Sequence, residues 1–106
     1  MGFLGIFSSH DINKGVERFH STPSAVLIDV RNAQEYAQGH IPGSINIPLS
    51  AIDKTPTVIE NKDRPLFVYC LSGGRSRQAA ALLRHMGYGE VEDLGGISTY
   101  KGRIDY

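Results

Sequence analysis

The sequence predicts an α/β fold with an open, mostly parallel sheet and helices on both faces. Apolar runs typical of strands alternate along the chain with segments of helical periodicity. The runs at 25–30 and 65–69 are apolar almost throughout, as in strands that are covered on both faces. Strands alternating with helices imply right-handed crossovers and a parallel sheet. At 106 residues and 41% hydrophobic content, we expect one domain spanning residues 1–106.

The N-terminal part predicts a first helix. Ser8, Ser9 and Asp11 are residue types that cap helix N-termini. Ile12, Val16 and Phe19 then recur with helical spacing. We expect this helix to end before 21–23, because a proline at 23 follows a serine and a threonine.

The middle of the chain predicts short elements. In chain order we expect a strand over Ala25–Val30, a helix over Asn32–Ala37 that ends near Gly39, a strand around Ile45 and Ile47, a short helical segment over Leu49–Asp53, and a connection over Asp53–Arg64. This connection is short enough to join two elements of the same domain.

The C-terminal half predicts a strand, a loop and the longest helix. The strand covers Leu66–Tyr69 and the helix Arg75–Met86, with Gly87 placed for a left-handed C-cap. The helix carries four apolar residues on one side, which are Ala79, Leu82, Leu83 and Met86. A last strand is expected over Glu90–Leu94, interrupted by Gly95 and Gly96.

Composition excludes several classes of partner. Lysine plus arginine equals aspartate plus glutamate at 11 each, so no long-range field indicates nucleic acid or a membrane surface. The apolar stretch at 2–7 is too short for a signal-peptide core or a membrane span. One cysteine permits no internal disulfide, which suits a reducing compartment, and we expect a cytoplasmic protein. Four histidines without a second cysteine give no metal-site spacing, and no cofactor is expected.

Cys70 is the candidate nucleophile. A lone free cysteine is most often a small buried core residue. Here, however, Cys70 stands between a buried strand and a loop containing Gly73, Gly74 and Arg75 that opens a helix. Unpaired backbone N–H groups and the positive end of the helix dipole stabilise a thiolate at such a position. The setting favours the nucleophile over the core residue.

Several stretches together resemble the single-domain rhodaneses. They are residues 27–31 with 35–36, residues 39–48, residues 70–76, the Gly-Tyr pair at 87–88 and the Leu-Gly-Gly triplet at 94–96. The resemblance extends from about Ala25 to Tyr100. It implies a rhodanese-like domain, and a sulfurtransferase in which Cys70 carries a sulfane sulfur as a persulfide.

The resemblance implies a double displacement. The Cys70 thiolate takes sulfur from a small donor, thiosulfate or a persulfide, and passes it to a thiol or cyanide acceptor. A protein persulfide is a further candidate partner. Arg75 is expected to be catalytic together with Cys70: it supplies a fixed charge that bonds a sulfonate or helps to organise the loop. The anion-binding loop comprises Leu71, Ser72, Gly73, Gly74 and Ser76, with Gly73 and Gly74 permitting positive φ.

Other residues receive supporting roles. In the family, the positions of Asp29 and Arg31 border the active site, so we expect them to brace it; the alternative is an ordinary surface ion pair. We expect Glu35 to pair structurally and His40 to be satisfied by its turn. Arg77 is a solvated helix charge that lies close enough to the loop to meet an anionic donor.

Position 71 departs from the family pattern and leaves alternatives open. Leu71 stands where many members that use thiosulfate have a basic residue, so a persulfide is as good a donor candidate as thiosulfate. A non-enzymatic persulfide carrier or partner-binding module would keep the same loop. A phosphatase or arsenate reductase is disfavoured, because four residues separate Cys70 from Arg75 and the related dual-specificity phosphatases have one more.

Overall fold

The computed structural model describes residues 11–106. The expected cap residues Ser8 and Ser9 and the apolar stretch 2–7 lie outside this range. The elements, in chain order, are α1 (Ile12–His20), β1 (Val26–Asp29), α2 (Ala33–Ala37), β2 (Ser44–Asn46), a 3-10 segment (Leu49–Lys54), α3 (Thr55–Val58), β3 (Leu66–Cys70), α4 (Gly74–His85), β4 (Val91–Gly96) and a second 3-10 segment (Ile97–Thr99).

The four strands form one parallel sheet in the order β2-β1-β3-β4. The predicted fold class is confirmed. Asp29 is in register with Asn46 on β2 and with Tyr69 on β3, and Cys70 is in register with Gly96 on β4. Because the strands are parallel, their carboxyl ends meet at one edge of the sheet, and the ends of β1, β3 and β4 lie side by side there.

Side chains alternate between the two faces of the sheet and form two cores. Ile28 and Val68 pack on one face, in a cluster that includes Ala79 and Leu83 of α4. Leu27, Phe67 and Tyr69 pack on the other, in a cluster that includes Ile12 and Val16 of α1. β1 and β3 are buried along their whole length, as their continuous apolar runs predict.

The two longer helices begin close to where they were predicted to begin. Asp11 is the N-cap of α1, and its side chain accepts hydrogen bonds from the backbone N–H groups of Asn13 (3.0 Å) and Lys14 (3.5 Å). α4 ends before Gly87, whose φ is +103°. The placement of Leu82 on the buried side is wrong, because its side chain is 40% exposed. Within residues 11–106, no helix is long and apolar enough to cross a membrane.

Two further expectations are corrected. The connection over Asp53–Arg64 contains α3, and Thr55 at the start of this helix and Ile59 just after its end are buried. β4 does not stop at Leu94 but continues through Gly96. A register irregularity opposite Val68 and Tyr69, together with a φ of +88° at Gly95, keeps these last two glycines paired with β3.

Candidate active site

Cys70 is the last residue of β3, and its side chain lies at the start of the following loop. The residue is only 1% exposed, yet its sulfur is not in a purely apolar site. Sγ accepts a hydrogen bond from the Gly73 backbone N–H at 3.0 Å and lies 3.5 Å from Ser76 Oγ. The loop therefore turns back on its own cysteine and presents polar hydrogens to the sulfur.

Ser76 lies beneath the sulfur and is fully buried. Its Oγ is 3.2 Å from the Gly73 carbonyl oxygen and 3.3 Å from the Gly95 carbonyl oxygen, in addition to its contact with Sγ. A hydroxyl has a single proton to donate. When Cys70 is a thiol, its S–H can donate to Oγ while the hydroxyl donates to a carbonyl; when Cys70 is a thiolate, the hydroxyl can donate to Sγ.

The surroundings of Cys70 act on the pKa of its thiol in both directions. Burial raises the pKa of the Cys70 thiol, but hydrogen bonds from the Ser76 side chain and from the backbone N–H groups of Ser76, Gly73 and Ser72 act in the opposite direction. The net pKa of Cys70 is lower than that of an ordinary cysteine.

Glycines shape the loop at two positions. Gly73 has a φ of +113° and occupies the N-cap of α4, which turns its N–H toward Sγ. The expectation of positive φ at Gly74 is wrong, because this residue is the first of α4 and has helical geometry. Gly96 matters for another reason: a Cβ there would overlap the backbone of Leu71 and Ser72. β4 therefore supports the loop by a close backbone approach that sequence reasoning missed.

The side chain of Arg75 pairs with Glu35, which lies outside the cysteine loop. Its guanidinium donates two hydrogen bonds to the Glu35 carboxylate, at 2.7 and 3.0 Å. The hydrogen bonds from Arg75 lower the pKa of Glu35 to about 2. Glu35 also completes a capping box with Asn32 at the start of α2. The pair thus ties the cysteine loop to α2, as the structural pairing expected of Glu35 requires.

Asp29 and Arg31 form a buried ion pair at the end of β1. Their side chains are 0% and 7% exposed, so the alternative of an ordinary surface pair is excluded. The guanidinium of Arg31 donates to both oxygens of Asp29, at distances from 2.7 to 3.1 Å, and also to the Gly39 carbonyl. Asn46, not singled out in the sequence, donates to the carbonyls of both residues. The pair closes the strand next to the one that carries Cys70.

Tyr69, the residue before Cys70, also supports the site through contacts that the sequence did not reveal. Its ring lies in the core on the α1 side, and its hydroxyl accepts from the Ile41 N–H at 3.1 Å and contacts Ser44 Oγ at 3.2 Å. His40, beside this turn, stacks on Tyr36 and has Nδ1 2.9 Å from the Tyr36 carbonyl oxygen. These contacts fix the 39–44 turn against β3.

Two grooves flank the loop. One, of about 450 Å³, is lined by Ser72, Gly73, Gly74, Arg77, Asp93, Gly95, Gly96, Ser98 and Thr99. The other, of about 320 Å³, is mainly apolar and is lined by Val30, Asn32, Pro48, Leu49, Ser50 and Arg75. Leu71 is 44% exposed and places no charge beside the sulfur. Over residues 11–106 there is no group of three or more His, Cys, Asp and Glu side chains positioned to bind a metal ion.

This geometry agrees with the comparisons to known proteins. A family model described as Rhodanese-like domain matches residues 13–103. The chain belongs to the rhodanese-like domain family. The predicted family is thereby confirmed, and the sheet edge that carries Cys70 is part of the matched region.

Two of the named relatives are sulfurtransferases. The chain is 41% identical over 85 residues to a Sulfurtransferase of Allochromatium vinosum, covering 79% of this chain and 78% of that protein. It is 42% identical over 71 residues to Thiosulfate sulfurtransferase PspE of Escherichia coli, covering 66% and 68%. A solved structure described as a rhodanese with anions from E. coli superposes with a TM-score of 0.71 at 36% identity, covering 76% of this chain and 96% of that one.

Proposed function

We propose that the protein is a sulfurtransferase that carries a sulfane sulfur on Cys70. The Cys70 thiolate attacks the outer sulfur of the donor and forms an S–S bond. With thiosulfate, the original sulfur–sulfur bond breaks and sulfite leaves with the bonding electrons. An acceptor thiolate or cyanide then attacks the terminal sulfur of the persulfide, and the Cys70 thiolate is regenerated. Both steps conserve electrons and need no cofactor.

One observation carries this proposal: the sulfur of Cys70 is buried and hydrogen-bonded by Gly73 and Ser76, and its pKa is lowered although burial opposes ionisation. A core cysteine in an apolar site would have its pKa raised. The backbone and hydroxyl donors that stabilise a thiolate can also stabilise the negative charge on the outer sulfur of a persulfide. We assign Cys70 as the nucleophile, residues 71–76 as its anion-binding loop, and Asp29 and Arg31 as a brace beside it.

The donor includes persulfides as well as thiosulfate. The exposed Leu71 and the pairing of Arg75 with Glu35 leave the mouth of the loop with less free positive charge than two unpaired cations would give. A thiosulfate dianion gains from such charge, whereas a low-molecular-weight or protein persulfide depends on it less. We propose thiosulfate or a persulfide as the donor, and the cytoplasm as the location, since a single cysteine suits a reducing compartment.

The experiment combines a mass measurement with turnover. Purified protein is incubated with thiosulfate or with a low-molecular-weight persulfide and analysed by intact mass spectrometry for the gain of one sulfur atom. Sulfur transfer to cyanide is assayed in parallel. We expect the adduct and turnover in the wild type, and neither in Cys70→Ser. An adduct that persists in Cys70→Ser would contradict the proposal.

A persulfide carrier is the second candidate function. The exposed side chain of Leu71, next to the nucleophile, favours contact with a partner protein rather than with a free anion. A carrier would accept sulfur on Cys70 and release it only to that partner. In the experiment above, an adduct on Cys70 without turnover of cyanide or small thiols would favour the carrier over the enzyme.

A further inference from the structure

The arginines near the cysteine loop differ in whether their positive charge is available to a ligand. The Arg75 guanidinium donates two hydrogen bonds to the Glu35 carboxylate, so much of its positive charge is neutralised. Position 71, at the other side of the loop, carries a leucine. Neither residue offers a free cation to a negatively charged donor.

Arg77 is different. It lies one residue beyond Ser76 on α4 and is exposed. Within residues 11–106, its guanidinium makes no hydrogen bond and no ion pair; only its backbone N–H is bonded, to the Gly73 carbonyl oxygen. Its charge is therefore available to a ligand in a way that the charge of Arg75 is not.

Arg77 lines the 450 Å³ groove together with Gly73, whose N–H binds the Cys70 sulfur. Ser98 and Thr99 line the same groove. The Thr99 hydroxyl donates to the Gly96 carbonyl oxygen at 3.4 Å, so Ser98 supplies the hydroxyl donor for a ligand. The groove therefore places an unpaired guanidinium and a serine hydroxyl beside the wall of the sulfur-binding loop. Arginine and hydroxyl donors match the oxygen atoms of a sulfonate or carboxylate.

Asp93 is the one acidic residue that lines this groove. Its Oδ1 accepts a hydrogen bond from the Gly95 N–H at 2.9 Å, so the carboxylate holds the last residues of β4. Its negative charge still opposes an anion in the groove. Arg77 and Asp93 should therefore have opposite effects on the binding of a charged donor.

We propose that this groove binds the anionic group of the sulfur donor, and that Arg77, rather than Arg75, binds its charge. The inference rests on the proposed sulfur transfer at Cys70 and adds to it the residue that selects anionic donors. The matching ligand class is a small sulfur compound bearing a sulfonate or carboxylate near its reactive sulfur.

The test uses two electrophiles that differ in charge. Iodoacetate and iodoacetamide both alkylate the Cys70 thiolate, but only iodoacetate carries a carboxylate. We measure the ratio of their second-order rate constants at low salt in the wild type, Arg77→Gln and Arg84→Gln. Arg84 is the matched control, because it lies on the same helix and donates to the Val91 carbonyl oxygen, away from the groove.

We expect Arg77→Gln to lower the iodoacetate-to-iodoacetamide ratio about fivefold, the size of one exposed charge interaction, and Arg84→Gln to leave the ratio unchanged. Asp93→Asn, which keeps an acceptor for Gly95, should raise the ratio. Equal ratios in the wild type and Arg77→Gln would overturn the inference.

Thiosulfate loading separates this inference from the proposed function. We expect Arg77→Gln to raise the thiosulfate concentration for half-maximal loading of Cys70 about fivefold, with the loading rate at saturation unchanged. A wild type that no donor loads would contradict sulfur transfer, while the alkylation ratio would still report whether Arg77 attracts anions to the groove.

Discussion

Two neighbouring strands of the sheet end in opposite ways. β1 ends in an ion pair: the side chains of Asp29 and Arg31 are buried against each other, and both carboxylate oxygens of Asp29 accept hydrogen bonds from Arg31. β3 ends in Cys70, whose sulfur is held by a backbone N–H and a hydroxyl with no formal positive charge in contact. In the first arrangement the two charges pair with each other and hold the end of the strand. In the second the sulfur contacts only dipolar donors, and we propose that it reacts as a thiolate.

On this proposal, a buried anion is inert at the end of one strand and reactive at the end of its neighbour. A carboxylate paired bidentately with arginine has its charge neutralised locally. A thiolate stabilised by dipoles keeps its charge and its lone pairs, because N–H and O–H groups supply only partial charges. Stability should therefore depend most on the end of β1, and reactivity on the end of β3.

Breaking the β1 pair should have the largest effect on stability. Asp29→Asn leaves the Arg31 guanidinium buried without a compensating charge, and we expect the free energy of unfolding to fall by about 3 kcal/mol. Chemical denaturation would measure this loss. Asp63→Asn, at an exposed turn, is the matched control and should change stability little. A loss below about 1 kcal/mol would show that the pair is not essential to the end of β1.

Gly96→Ala tests the support beneath the cysteine loop. The new methyl group would overlap the backbone of Leu71 and Ser72, so the loop must shift away from β4. We expect a loss of about 1–3 kcal/mol of stability, typical of overpacking, and at least a tenfold fall in sulfur loading of Cys70. Gly89→Ala is the control, since a Cβ there meets nothing within 4 Å. Full loading by the Gly96→Ala protein would contradict the role assigned to this contact.

Ser76→Ala tests whether the hydroxyl beside Cys70 makes the end of β3 reactive. Removing the hydroxyl should raise the pKa of Cys70, because a donor to the thiolate is lost. We expect alkylation of Cys70 at neutral pH to slow by about tenfold, and stability to fall by about 1 kcal/mol. Ser21→Ala, at the end of α1, controls for the loss of a hydroxyl. An unchanged rate profile against pH would mean that Ser76 does not act on the sulfur.

Glu35→Gln should have the smallest effect on stability. The pair with Arg75 is partly exposed, and such pairs contribute about 1 kcal/mol or less. The pKa of Glu35 is lowered from 4.5 to about 2 in the folded protein, so its contribution is complete above pH 4.5 and is lost as the pH falls from 4.5 to about 2. The wild type should therefore lose its small advantage over Glu35→Gln within that range, as denaturation at several pH values would show. An advantage that is constant with pH would contradict this assignment.

The sequence was sufficient to predict the elements whose formation depends on local pattern. The continuous apolar runs predicted β1 and β3, and the cap residues predicted the start of α1. Leu82 was misplaced because Ser76 and Ala80 are buried, which turns the buried side of α4 away from it. α3 was missed because its four residues carry no helical periodicity and contain a proline.

The place of the candidate site in the fold was predictable from the sequence, its contacts were not, and its chemistry stays a prediction. Cys70 and its loop are contiguous in sequence, so strand, glycine and helix signals indicated them together. The partner of Arg75 lies 40 residues away, and the glycine that supports the loop lies on another strand. Such long-range contacts follow from the register of the sheet, and a single sequence does not contain that register.

The central claim is that backbone and hydroxyl donors make Cys70 a thiolate in a buried site. The most direct test follows the ultraviolet absorbance of the thiolate during a pH titration of the folded protein, with the same protein unfolded in denaturant as the reference. We predict a lower midpoint in the folded protein, with Cys70→Ser showing no such transition. A midpoint in the folded protein equal to or above that of the unfolded chain would contradict the account.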